Sequence, residues 1–166
     1  MDPSESAAVT LRDGRVVTLA PPTAADEENV ARLLEALEDP RATFFARAAA
    51  AESSGVTQGA LVARTPTGDC AGFAAWIARD EHHGEFAGGV DPSFAELGLG
   101  TLLLRRIARD AHSAGLQTLR VELHPGSQAI AAMLRDSGLH THWDLDHPVA
   151  SVDLILGSQR PGWVTP

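Results

Sequence analysis

The segment DPSFAELGLGTLLLRR, from Asp91 to Arg106, decides how the rest of the chain is interpreted. From Thr101 to about Ala114 its apolar residues recur three and four positions apart, which predicts an amphipathic helix. Gly98 and Gly100 stand immediately before that helix. The first N–H groups of a helix lack internal partners and the macrodipole makes that end positive, while glycine lets an anion approach the backbone closely. The segment therefore predicts a phosphate-binding loop at the start of a helix.

Two other phosphate-binding motifs do not fit this loop. No Lys-Ser/Thr pair follows the glycines, as a P-loop requires, and Leu103 occupies the place of the third glycine in the dinucleotide fingerprint. A Gly-x-Gly by itself is weak support for any ligand, since many glycines only make turns.

The residues around this segment alternate between strand and helix patterns. Short turns separate the three strands before the loop, which predicts an antiparallel meander. The predicted strands are 59–64, 70–78, 85–90, 119–123, 141–145 and 150–156, and Ser127 caps a predicted helix that ends at Ser137.

The first third of the chain predicts a turn followed by helices. Val9–Leu19 alternates around Asp13-Gly14 and predicts either a short strand pair or one kinked strand. A helix with a capping box at Thr23 is predicted to end near Pro40, and an alanine-rich helix is predicted over 41–51. The fold class is therefore α+β.

Length and composition favour one domain, over residues 9–157, between a flexible N-terminal arm (1–8) and a C-terminal tail (158–166). The net charge of −9 argues against a nucleic-acid partner, because phosphate binding needs a basic stripe and the sequence has none. The negative charge is consistent with a cationic substrate, or it only keeps the protein soluble. One cysteine fits a reducing cytoplasm, and no apolar stretch is long enough to cross a membrane.

The run Leu97-Gly98-Leu99-Gly100-Thr101, with Asp91-Pro92 before it, resembles the acyl-CoA pyrophosphate loop of the GNAT superfamily, Arg/Gln-x-x-Gly-x-Gly/Ala. The similarity extends through Met133–Gly138 and back to Leu11–Gly14, and it covers about Leu11 to Leu156. The subgroup that the chain resembles most is the bacterial protein-lysine acetyltransferases. The resemblance implies a mixed, mostly antiparallel sheet of about six to seven strands flanked by about four helices.

The resemblance also implies the ligands and the residues that hold them. The donor is acetyl-CoA or another acyl-CoA, the acceptor is a small-molecule amine or a protein lysine, and no metal takes part. The implied donor-binding residues are Gly89, Val90, Ala95, Leu97, Gly98, Leu99, Gly100, Thr101 and Ser127. GNAT domains often dimerise through their last strands, although no apolar stripe in this sequence supports a homodimer.

Glu85 is the candidate catalytic residue. In the subgroup, a glutamate on the strand before the loop lies 13 residues ahead of the loop's first glycine, and Glu85 has that spacing to Gly98. An amine of pKa about 10.4 must lose a proton before it attacks a thioester, which costs about 4.6 kcal/mol at pH 7, and a carboxylate can accept that proton. The alternative is that Glu85 only opens a strand at the surface.

Other positions carry weaker or opposing signals. Ala95 replaces the Arg/Gln of the family loop, Glu96 adds a negative charge there, and Ser127 replaces the usual asparagine. Gly88-Gly89 either lines the donor or packs under a large side chain. The histidines are expected to be solvated side chains rather than metal ligands, and Cys70 is expected to be packed rather than reactive.

The sequence therefore predicts an N-acyltransferase, EC 2.3.1 in type, with Glu85 as general base. The absence of tyrosine removes one common proton donor for the leaving thiolate. Two alternatives remain open: a non-catalytic GNAT-like module that binds acyl-CoA or a partner, and an unrelated α+β binding domain.

Overall fold

A computed structural model describes residues 6–37, 58–123, 128–146 and 149–159. Eight strands and three α-helices lie in these ranges. In chain order they are β1 (Ala7–Thr10), β2 (Val16–Ala20), α1 (Glu27–Ala36), β3 (Gln58–Arg64), β4 (Cys70–Ala78), β5 (His83–Val90), α2 (Leu99–Ser113), β6 (Thr118–Leu123), α3 (Gln128–Asp136), β7 (Leu139–Asp144) and β8 (Ala150–Gln159). Short 3₁₀ turns, Ala24–Asp26 and Pro92–Phe94, precede α1 and α2.

All eight strands form one sheet in the order β1-β2-β3-β4-β5-β6-β8-β7. Every neighbouring pair is antiparallel except β5 and β6, which run parallel. A parallel pair needs a crossover between its strands, and α2 supplies it.

The helices cover opposite faces of the sheet. On one face, α1 packs Leu33 and Leu34 against Val62, Phe73 and Ala87. On the other face, α2 contributes Leu99, Leu103, Leu104 and Ile107 to the larger core cluster, which Leu134 of α3 joins. Because side chains alternate along a strand, the central strands β3, β4 and β5 contribute residues to both clusters.

The predicted fold is confirmed, with small differences in the elements. The sheet has eight strands rather than six to seven, because the residues around Asp13-Gly14 form two paired strands, β1 and β2. The antiparallel meander of β3, β4 and β5 is as predicted. Helix α2 begins at Leu99, two residues before the predicted Thr101. The helix predicted over 41–51 lies outside the described residues.

Strands β1 and β8 start and end slightly outside the domain limits expected from sequence. The expected domain covers residues 9–157, whereas β1 begins at Ala7 and β8 ends at Gln159. The limits of the domain, the arm and the tail stay predictions.

Candidate active site

The parallel strands β5 and β6 separate part-way along their length. They pair at His83↔Thr118, Gly84↔Leu119 and Glu85↔Arg120. Beyond Glu85, β5 stays with β4 as far as Val90, while β6 stays with β8 as far as Leu123. A wedge-shaped gap therefore opens between Phe86–Val90 and Val121–Leu123, and we call this gap the wedge.

The backbone of β5 presents polar groups to the wedge. The Asp91 N–H donates to the Ala71 carbonyl at 2.9 Å, and the Arg79 N–H donates to the His83 carbonyl at 2.8 Å. Along a strand, the backbone groups of every second residue bond to the same neighbouring strand. Because the bonds to β4 involve Asp91 and His83, the odd-numbered residues of β5 bond to β4. The backbone N–H and C=O groups of Phe86, Gly88 and Val90 consequently face the wedge.

This register bears on the two β5 residues expected to contact the donor. The backbone groups of Val90 face the wedge. Gly89 pairs with Phe73 of β4 and directs its backbone groups there, so Gly88 takes its place as the glycine whose amide faces the wedge. A Cβ on Gly88 would lie 2.8 Å from the Phe73 carbonyl oxygen, which explains why this position needs glycine.

The loop after β5 turns sharply to start α2. Asp91 caps the 3₁₀ turn by accepting from the Ser93 N–H at 2.8 Å. Glu96 and Gly98 have φ of 62° and 87°, in the left-handed region. Because α2 begins at Leu99, the N–H groups of Leu99, Gly100 and Thr101 belong to its first turn and have no preceding helical carbonyl to bond.

The start of α2 lies directly against the end of β5. A Cβ on Gly100 would be 3.0 Å from the Met133 sulfur of α3 and 3.5 Å from a Val90 methyl carbon. Glycine thus allows α2 to approach both neighbours. The three first-turn N–H groups consequently stand beside Val90, at the open end of the wedge.

Ala95 and Leu97 use their backbone groups inside the protein. The Ala95 N–H donates to the Pro92 carbonyl at 3.2 Å, and the Leu97 carbonyl accepts from the Arg12 N–H at 3.4 Å. The Leu99 side chain is fully buried in the core. Of the loop residues predicted to bind the donor, Gly98, Leu99, Gly100 and Thr101 therefore form the helix start, whereas Ala95 stabilises the turn before it. Ser127 lies outside the described residues.

Glu85 occupies the closed end of the wedge, as the last residue of β5 that pairs with β6. Its side chain points to the α1 face of the sheet, the face on which a Cβ at Gly89 would meet Leu37. It forms an ion pair with Arg79 and is 23% exposed. Arg120, its neighbour in register, instead bonds Asp153 at 2.9 and 3.1 Å. The carboxylate is thus oriented by Arg79 and reachable from solvent.

The turn between β1 and β2 contacts the loop that precedes α2. Arg15 donates to the Ser93 carbonyl at 2.7 Å, and its guanidinium carbon lies 4.1 Å from the centre of the Phe94 ring. Arg12 donates to the Glu96 carbonyl at 3.3 Å. Two arginines from a remote part of the chain therefore adjoin a loop that has no basic residue of its own.

The remaining candidate groups do not form a second site in the ranges that the structure describes. No cluster of three or more His, Cys, Asp or Glu side chains there is arranged to hold a metal ion. His83 contacts Asp80 at 2.8 Å in an exposed turn. Burial raises the pKa of the Cys70 thiol to about 11, which agrees with a packed rather than a reactive cysteine. Among the described helices, none is long and apolar enough to span a membrane.

A sequence model of the acetyltransferase (GNAT) domain matches residues 23–129, well over half of the chain. The chain belongs to the GNAT acetyltransferase family. Residues 23–129 include Glu85, the whole loop and α2. Among curated protein sequences, none matches this chain significantly.

Solved structures of GNAT enzymes share this fold at low sequence identity. The GNAT domain of Streptomyces lividans PAT is 18% identical, with a TM-score of 0.70, 91% of this chain covered and 97% of that one. A phosphinothricin acetyltransferase from Sinorhizobium meliloti, solved with AcCoA, is 18% identical, with a TM-score of 0.64 and coverage of 88% and 94%.

A cAMP-binding acyltransferase from Mycobacterium smegmatis is 19% identical, with a TM-score of 0.65. The alignment covers 90% of this chain but only 47% of that one, so this GNAT chain corresponds to about half of the longer protein.

Three residues of the site were not predicted from sequence. Gly88 was named only together with Gly89, and the choice between them depends on which strand each amide faces. The bond from the Arg79 N–H to the His83 carbonyl, in the turn that joins β4 to β5, determines which residues of β5 face β4. The position of this turn is therefore the feature of the sequence that could have identified Gly88. Arg79 and Arg12 reach the site through tertiary contacts, for which the sequence offers no local signal.

Proposed function

We propose that this GNAT protein is an N-acyltransferase that moves an acetyl or short acyl group from acyl-CoA to a primary amine by direct attack. The observation that carries the proposal is the wedge, which has the α2 N-terminus at its open end and Glu85 at its closed end. A small amine and a protein lysine both belong to the acceptor class, and the cytoplasm remains the predicted location.

The proposed donor lies along β5. The N–H groups of Leu99, Gly100 and Thr101 bind the pyrophosphate, because a helix N-terminus offers both donors and a positive dipole. The backbone groups of Gly88 and Val90 bond the amides of the pantetheine arm as an additional strand would. This arrangement brings the thioester toward the end of the wedge where Glu85 lies.

Glu85 is proposed to remove one proton from the acceptor ammonium. The lone pair that this exposes on nitrogen attacks the thioester carbon. As the new C–N bond forms, the carbonyl oxygen gains negative charge, and an N–H group facing the wedge stabilises it. The C–S bond then breaks, the nitrogen releases its second proton to solvent to give the neutral amide, and sulfur leaves as the CoA thiolate, which takes up a proton from solvent.

A second function has a specific observation in its favour. Ala95 leaves the loop without a basic side chain, and the adjacent Glu96 is acidic. Both changes weaken pyrophosphate binding compared with a basic loop. A module that binds acyl-CoA without turnover, and regulates a partner, is therefore the alternative.

The test is acetyl-CoA-dependent transfer to a panel of primary amines, with Glu85→Gln as the variant and Glu81→Gln as a matched control in the exposed β4–β5 turn. CoA release is followed as free thiol. We expect Glu85→Gln to lower kcat/KM by at least about 100-fold at pH 7.5, because the amine loses its proton acceptor. The loss should shrink as the pH approaches the acceptor pKa, about 10.4 for a lysine.

Equal rates for Glu85→Gln and the unaltered protein would refute Glu85 as the base. Binding of acetyl-CoA with no transfer to any amine would instead support the regulatory module. Folding is checked separately by thermal unfolding. The Arg79–Glu85 pair is partly exposed, and its loss should cost less than about 1 kcal/mol.

A further inference from the structure

We propose that Arg12, on the turn between β1 and β2, binds the pyrophosphate of the acyl-CoA donor and supplies the positive charge that the loop before α2 lacks. The inference rests on the proposed function, and it adds a binding residue that lies about 80 positions away from the loop in sequence.

The loop before α2 is acidic. Between Asp91 and Thr101 the chain has two acidic residues, Asp91 and Glu96, and no basic one. A pyrophosphate carries at least two negative charges, so the backbone N–H groups of α2 would have to bind it beside two carboxylates. A nearby cation would offset this unfavourable balance.

The Arg12 guanidinium lies next to Gly98, which caps the start of α2. A Cβ built on Gly98 would lie 3.6 Å from Arg12 Nε and 3.9 Å from Arg12 Cζ. The guanidinium thus rests against the glycine that caps α2, one residue before the N–H groups of its first turn. A planar guanidinium at this distance can reach the same phosphate oxygens as those N–H groups.

Arg12 is available to a ligand, whereas Arg15 and Arg105 are engaged in other contacts. Arg15 pairs with Asp13 at 2.5 Å and donates to the Ser93 carbonyl. Arg105, on the second turn of α2, donates to the Ser137 carbonyl at 2.8 Å. In the part of the chain that the structure describes, Arg12 contacts only backbone carbonyl groups and no carboxylate. Its side chain is exposed.

The turn holds Arg12 in place without using its charge. The Arg12 N–H donates to the Leu97 carbonyl, and one guanidinium nitrogen donates to the Glu96 carbonyl. The remaining guanidinium N–H groups are left for a ligand, since the group has five in all. The contact to Glu96 also fixes the backbone of that residue.

The test compares calorimetric affinities for CoA of the unaltered protein, Arg12→Gln and Arg12→Lys. Arg32→Gln, an exposed arginine on α1, controls for the change in net charge. We expect Arg12→Gln to weaken CoA binding about 10-fold, equivalent to about 1.4 kcal/mol, and Arg12→Lys to restore part of the loss. Arg32→Gln should change the affinity less than twofold.

Two further ligands identify the group that Arg12 contacts. Dephospho-CoA, which lacks the 3′-phosphate, should show the same 10-fold loss with Arg12→Gln. Pantetheine, which lacks the pyrophosphate, should show none. A loss that disappears with dephospho-CoA would assign Arg12 to the 3′-phosphate and overturn the proposal.

The salt dependence of the CoA affinity distinguishes a charge interaction between Arg12 and the ligand from a purely structural contact. Between 0.1 and 1 M NaCl the Debye length falls from about 10 Å to about 3 Å, and this screening should weaken CoA binding less steeply once the Arg12 charge is gone. Arg15→Gln, which removes the contact of Arg15 with Ser93 in the same loop, should leave the salt dependence of CoA binding unchanged. Matching slopes for Arg12→Gln and the unaltered protein would overturn the proposal.

The outcomes also distinguish this proposal from the proposed function. Equal affinity of Arg12→Gln and the unaltered protein refutes the Arg12 assignment alone. CoA binding that depends on Arg12, in a protein that transfers no acyl group, leaves Arg12 in place and refutes the catalytic function. Failure of the unaltered protein to bind CoA overturns both.

Discussion

An ion pair between Asp26 and Arg64 links the start of α1 to β3. We predict that Asp26→Asn lowers the free energy of unfolding by about 3 kcal/mol at pH 7. The Asp26 carboxylate is 95% buried, since only 5% of the residue is exposed. It accepts from Arg64 at 2.7 and 2.5 Å, and from the N–H and hydroxyl of Thr23 at 2.6 and 2.8 Å. The pair thus holds α1 over the sheet face to which Glu85 points.

The magnitude follows from what the substitution leaves behind. Asparagine keeps the shape but removes the charge and replaces one acceptor oxygen with a donor, so at least one of the four bonds is lost and Arg64 has no counter-ion. Breaking a buried ion pair by removing one partner costs roughly 3–5 kcal/mol. The Arg64 side chain is 23% exposed, so water compensates in part and the lower end of that range applies.

The same pair predicts a pH dependence. The bonds from Arg64 and Thr23 hold the pKa of Asp26 well below its usual range in the folded protein. A carboxyl whose folded pKa is lowered stabilises the fold above its unfolded pKa of about 3.9, and this stabilisation is lost as the pH falls below that value. The difference between the two proteins should therefore be full at pH 7 and smaller at pH 3.

Urea unfolding followed by circular dichroism at both pH values measures this difference, with exposed Asp69→Asn as the control. A destabilisation below about 1 kcal/mol at pH 7 would refute the energetic argument, because that is the value of a solvent-exposed pair. A difference that stays constant down to pH 3 would refute the assignment of the pKa shift to this pair.

Two further predictions concern partly buried groups elsewhere in the fold. Asp110 accepts from the Trp76 indole N–H at 2.7 Å, and Trp76 is only 2% exposed, so Asp110→Ala should lower the free energy of unfolding by about 2 kcal/mol. Asp110→Asn, which can keep an acceptor there, should cost less, and equal losses in urea unfolding would contradict this reasoning. The Cys70 thiol should react with a disulfide reagent at pH 8 far more slowly in the folded protein than in urea, because burial raises its pKa to about 11. Equal rates in both states would show that Cys70 is not protected.

Much of the fold could be predicted because the relevant signals are local. Segments separated by short turns predicted β3, β4 and β5, and the shortness of those turns required antiparallel pairing. Apolar spacing identified α2, although its first turn coincides with Gly98–Gly100, which has no periodic pattern. The helix therefore begins earlier than its apolar stripe.

The sequence predicted where the candidate residues lie in the fold but not what they contact. Glu85 lies on β5, the strand predicted for it, whereas its ion pair with Arg79 forms across the β4–β5 hairpin and depends on which face each side chain takes. The same dependence on register decides between Gly88 and Gly89, since a shift of one residue reverses the direction of every backbone group. Arg12 adjoins the loop only because β1 and β2 pair at the edge of the sheet.

A calorimetric titration of the protein with acetyl-CoA, with free CoA as comparison, tests most directly whether the wedge holds an acyl-CoA donor. We predict saturable binding at one site per chain, with Kd in the micromolar range, because the wedge and the start of α2 provide the amide donors that the ligand needs. No detectable binding at millimolar acetyl-CoA would contradict it, since the wedge would then be a feature of the fold without a donor to hold.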